Sequence, residues 1–214
     1  MRPESLTPSF FQDEPLPEGT SLAGWAGLVS AFGIPAPVRN PTCISERHVR
    51  GNVRADGIWQ VYDKRYLPDA TLEGHLGFAL RHESIDLLIL KRVFDAVPQQ
   101  DIEAIVRATP TGAFSRRLWF FFETLTGRML DLDDAPTVTA VPALDPTQYF
   151  TGKERFSQRH RVRDNLLGTG ALCPMIRRTE KLKALIGLDL AARAKETIGK
   201  TGGHVVARAA SFML

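Results

Sequence analysis

Five histidines, two cysteines and a run of arginines are the residues of this chain whose types could bind or react. His75 and His82 are seven positions apart on a predicted helix, so they lie about two turns from each other on similar faces. A zinc pair needs a spacing of about three or four and a third ligand. The pattern therefore predicts one surface histidine and one half-buried histidine, with no metal site. His48, His160 and His204 stand alone. Cys43 and Cys173 lack the C-x-x-C spacing of zinc and redox sites, so each reads as a small core residue. No glycine-rich phosphate loop and no G-x-S-x-G elbow is present, and Gly168-Thr169-Gly170 reads as a turn.

The arginines are the strongest electrostatic feature. The net charge of the 214 residues is only +3, but it is unevenly spread. Residues 1–75 have 7 basic and 9 acidic side chains, residues 76–150 have 7 and 10, and residues 151–214 have 13 and 5. The basic third holds Arg159, Arg161, Arg163, Arg177 and Arg178, with Asn165 among them. Guanidinium forks suit phosphate or carboxylate groups. These six residues are the candidate binding surface, facing another domain or a target protein. The acids Asp131, Asp133 and Asp134 are candidate partners within the same polypeptide. Nucleic acid is the alternative, but only Phe150 and Phe156 lie near the cluster, and no nucleic-acid-binding motif accompanies it.

The elements that must position these residues read mostly as helices. Leu22, Trp25, Ala26, Leu28, Val29 and Phe32 predict a helix over 19–33, stopped by Gly33. Val49, Val53, Ile58, Val61 and Tyr62 flank Asp56-Gly57, which predicts a β-hairpin. Thr71 to Val97 reads as two helices, the second capped by Ser84. Further helices are expected over Gln99–Ala108, over Ala113–Thr126 with Gly127 as the stop, and over Thr179–Lys195. Residues 130–143 read as an extended connection and 151–178 as basic loop. Phe120, Phe121 and Phe122 cannot all face one core, so at least one should meet another element or domain.

These readings predict a mainly α fold, a helical module with a small β-hairpin. Residues 1–20, with four prolines, form an irregular arm, and 21–214 form the module. No apolar run is long enough to span a membrane. The absence of a signal-peptide pattern and the sparse cysteines predict a cytoplasmic chain. The last residues, His204 to Leu214, read as an amphipathic helix with no stop signal after it. Such an apolar end predicts a partner surface beyond Leu214, or a homodimer formed through this helix.

Four blocks carry a resemblance. They are Gly74-His75-Leu76-Gly77-Phe78-Ala79-Leu80-Arg81-His82-Glu83 through Leu90, Pro110–Trp119 followed by Glu123–Gly127, Arg159–Leu166, and Cys173–Thr179. Together they resemble the N-terminal region of large bacterial Fic (Fido) proteins, from Trp59 to Leu214, roughly three quarters of the chain. Fic proteins transfer AMP from ATP to target-protein hydroxyls through H-P-F-x-D-G-N-G-R. That motif supplies a general base, a magnesium ligand and an anion hole. It is missing here, so the resemblance implies no catalytic residue and no cofactor in this chain. ATP and magnesium are expected only with a Fic core. In similar proteins the region like Val205–Leu214 leads into an autoinhibitory helix and then that core. The implied role is a non-catalytic accessory or regulatory module whose partner is a Fic core in cis or a target protein. A stand-alone nucleic-acid-binding or protein-interaction module is the alternative.

Overall fold

The computed structural model describes residues 15–50, 53–55 (by backbone), 58–169, 172–187, 195–196 and 198–200. Residues 1–14 of the expected arm, the Asp56-Gly57 turn, residues 188–194 of the helix expected over Thr179–Lys195, and the helix expected over 204–214 lie outside the described residues. The chain divides into two compact units. The first joins residues 1–143 with 152–174, and the second joins 144–151 with 175–214.

The first unit opens with strand β1 (Thr20–Ala23) and helix α1 (Gly24–Ala31). Strands β2 (Thr42–Ser45), β3 (Val53–Ala55) and β4 (Trp59–Tyr62) complete a sheet in the order β1-β2-β4-β3. β2 and β4 run parallel, and the two outer pairings are antiparallel. Ala23, Ile44, Tyr62 and Phe78 form the core beneath it, with Phe78 supplied by helix α2 (Leu72–His82). Helices α3 (Leu87–Ala96), α4 (Gln99–Ala108) and α5 (Ala113–Thr126) follow. Strand β5 (Val141–Pro142) pairs in parallel with β8 (Val162–Asp164), which pairs antiparallel with β7 (Arg155–Ser157). The second unit contains the antiparallel pair of β6 (Tyr149–Phe150) and β9 (Ile176–Arg177), and helix α6 (Glu180–Ile186).

The mainly α expectation is overturned. Among the described residues about 40% are helical and another 15% lie in the strands of three small sheets, so the fold is mixed α and β. The expected hairpin exists as β3 and β4, but it is half of a four-stranded sheet. The strands are two to four residues long, too short for a period of two to register in the sequence.

Local departures have physical causes. Residues 20–23 pair with β2 instead of opening α1, and Gly24 turns the chain at φ +56°. α3 is capped by Asp86 rather than Ser84, because the Asp86 carboxylate accepts the Leu88 and Ile89 N–H groups, each at 3.0 Å. α4 and α5 occupy their expected ranges. Gly127 ends α5 in the left-handed conformation at φ 70°. All three consecutive phenylalanines of α5 are buried, which one core face could not achieve. Phe122 meets Phe94 of α3 edge-on at 5.1 Å, and Phe120 meets the His160 ring at 5.6 Å. Among the described residues no helix is long and apolar enough to cross a membrane.

Candidate functional site

α5 brings a carboxylate into the interior. Its apolar face packs Leu118, Phe122 and Leu125, and Glu123 lies one turn beyond Trp119 on a side that another element covers. The covering element is the β7–β8 hairpin, whose turn projects Arg159 and His160 onto it. Glu123 accepts the Trp119 indole N–H at 2.7 Å and the Leu130 backbone N–H at 3.0 Å. Arg159 meets it with Nε at 3.2 Å and Nη2 at 3.1 Å, and His160 Nε2 lies 3.0 Å from Oε2. Burial alone would raise this carboxyl. The hydrogen bonds from His160, Arg159, Trp119 and the Leu130 N–H outweigh burial and hold it down at about 2.

Glu123, ionised, can only accept, so the facing Nε2 of His160 carries a proton. Nδ1 sits 2.7 Å from the Ser157 hydroxyl. Serine, histidine and acid thus form a line with the connectivity of a hydrolase relay. Two features direct it to architecture instead. The acid is already ion-paired to Arg159, and the imidazole is wedged edge-on between Trp119, at 4.8 Å, and Phe120. The Arg159 guanidinium also stacks on Trp119, with Cζ 4.8 Å from the ring centre.

A second cation secures the same hairpin. Arg116 is 4% exposed, and its Nη1 donates to Thr139 O at 3.0 Å and to Arg161 O at 2.9 Å. Desolvation, then the nearby Arg161 charge, lowers its pKa. Arg161 itself holds φ 52°, a left-handed conformation that costs a side-chain-bearing residue roughly 1 kcal/mol. Its carbonyl also accepts the Val141 N–H at 3.2 Å, so two donors fix the turned peptide.

The six residues of the expected surface have different fates. Arg159 points inward to Glu123. Arg161 is half-buried, with Cζ 5.5 Å over the Phe156 ring, and Arg163 Nε lies 3.5 Å from Glu154. Asn165 is fully buried, and its carbonyl accepts the Gly152 N–H at 2.9 Å. In the second unit, Arg178 Nε donates to Pro146 O at 2.9 Å and Tyr149 O at 3.0 Å, and its guanidinium covers Phe150. Arg177 is exposed on β9. Much of the basic charge of the hairpin is matched locally, since Arg155 also pairs across the strands with Asp164 at 2.8 Å.

Sequence reasoning missed Glu123, His160 and Arg116 as the organising residues. The readable signal was a glutamate four positions after a tryptophan on an apolar helix. His75 is half-buried and His82 exposed, the pair of one half-buried and one surface histidine that was expected. Among the described residues no three histidine, cysteine or acidic side chains converge to hold a metal ion.

A second buried carboxyl lies under the other sheet. Glu83 Oε2 accepts the Trp25 N–H at 2.8 Å, which places the carboxyl at the start of α1, where Ala23 provides no side-chain cap. Trp25 Nε1 reaches back to Ser84 O at 2.8 Å. A Cβ on Gly24 would overlap this carboxyl, so glycine is required both by space and by φ. Burial pushes Glu83 up to about 7, against the opposing pull of the Trp25 N–H.

No family model, no curated protein and no solved structure matches this chain.

Proposed function

We propose that this chain is the non-catalytic N-terminal accessory module of a Fic-type protein AMP transferase. The supporting observation is the Glu123 network. Two of the blocks that carry the resemblance, Pro110–Gly127 and Arg159–Leu166, join there through a buried ion pair. Their polar groups are engaged with each other, as in a module that packs and presents rather than reacts. In this reading ATP and magnesium are expected only with the Fic core, since the sequence of this chain carries no glycine-rich anion loop. AMP transfer is assigned to a Fic core in cis, and no step of it to residues of this chain. Docking to that core, or to the target protein, falls to the partly exposed arginine side chains of the first unit, Arg161 and Arg163. A cytoplasmic setting belongs to this reading and is supported by the two cysteines, both free thiols.

The test has two arms. With labelled ATP, magnesium and a cell extract, this chain alone should transfer no AMP. Added to a Fic core, it should bind, and R161E with R163E should weaken that binding about tenfold. AMP transfer by the chain alone would overturn the reading. Unchanged binding would remove the Arg161–Arg163 surface.

A further inference from the structure

A cavity of about 560 Å³ lies in the first unit, between α4, α5 and the loop of residues 131–136. Val106, Pro110, Trp119 and Pro136 give it apolar walls, and Asp131, Asp133 and Asp134 stand exposed on its rim. The loop is held from several sides. Glu103 accepts the Asp131 N–H at 3.0 Å, Glu123 accepts the Leu130 N–H, and the Ala135 N–H donates to Arg159 O at 2.8 Å. The cavity is therefore preformed, as ligand sites usually are.

This loop already receives two guanidinium groups from inside the molecule. Arg159 donates to Leu130 O at 2.7 Å and Leu132 O at 3.0 Å, and Arg107, which also lines the cavity, donates to Asp131 O. Both cations have their own carboxylates, Glu123 for Arg159 and Glu103 for Arg107. Asp134 lies 3.6 Å from Arg159. Among the described residues neither Asp131 nor Asp133 has a cation within ion-pair distance. Two carboxylates without an ion-pair partner among the described residues thus stand over a pocket whose walls are part apolar and part polar.

We propose that this cavity binds a cationic side chain, arginine or lysine, of a partner polypeptide. The aliphatic stem lies against Val106, Pro110 and Trp119, and the charged head meets Asp131 and Asp133. Long basic side chains are built in this way, with an apolar stem and a charged tip. Three carboxylates repel an anion. A neutral apolar ligand would leave the carboxylates unused, and a bare metal ion would need converging ligands that the described residues lack. The inference does not depend on the Fic-type reading.

The experiment is a titration of the isotope-labelled chain with acetyl-Arg-Arg-Arg-amide, followed through its amide resonances. The expected result is saturable shifts confined to residues 131–135 and the Trp119 indole, fading as salt rises. The same peptide built from neutral citrulline should produce none. D131N with D133N should weaken binding about five- to tenfold while leaving resonances elsewhere in place. Shifts that do not saturate, that map to another face, or that are equal with citrulline would overturn the proposal. The citrulline comparison decides the matter even if the double variant fails to fold.

Discussion

Two glutamates enter the interior of the same unit and meet opposite fates. Glu123 is surrounded by donors, two of them on basic side chains, and is held at about 2. Glu83 has no ion pair among the described residues, one buried oxygen without a hydrogen-bond partner, and a carboxyl pushed up to about 7. Burial acts on both in the same direction. What differs is whether the fold delivers charge-assisted donors to the buried oxygens. The comparison teaches that the carboxyl under the first sheet is a helix-start filler, and the one under the hairpin is a fastening.

Removing each carboxylate should expose that difference. E123A would leave Arg159 and His160 facing an empty site, and the loss of one partner of a buried pair costs about 3–5 kcal/mol. Urea unfolding should show a loss of that size. A loss below about 1 kcal/mol would mean that the network is ornamental. The pH dependence has opposite signs at the two sites. Glu123 is depressed in the folded state, so its contribution is full above its unfolded value near 4.5 and disappears as pH falls toward 2. Glu83 is raised, so stability is full below about 4.5 and declines as pH rises through about 7. The positive end of α1 favours the ionised form and limits that decline to roughly 1–3 kcal/mol. E83Q should flatten the unfolding profile between pH 5 and 8 relative to the wild type. Identical profiles would show that Glu83 is ordinary.

The same contrast explains what could be read from the sequence. α4 and α5 were legible because ten and fourteen residues carry a full helical period, and because Gly127 stops α5 with a conformation that glycine favours. The sheets were not legible, since pairing partners rather than local pattern define strands such as Val141–Pro142. Thr20–Ala23 carries helix-like spacing, yet pairing with Thr42–Ser45 takes it. The arginine cluster was visible as charge, but its geometry was not. The link from Glu123 to Arg159 spans 36 positions and leaves no local trace. Nor could charge density show that Arg159 and Asn165 turn inward while Arg177 stays exposed.

The most direct test of the account is the native polypeptide itself. Its mass and sequence should be read from source cells by intact-protein mass spectrometry, using a fragment around Glu123 and Arg159 to find it. The account expects a polypeptide heavier than 23.7 kDa that also contains H-P-F-x-D-G-N-G-R. A 23.7 kDa species without that motif would contradict the accessory-module reading.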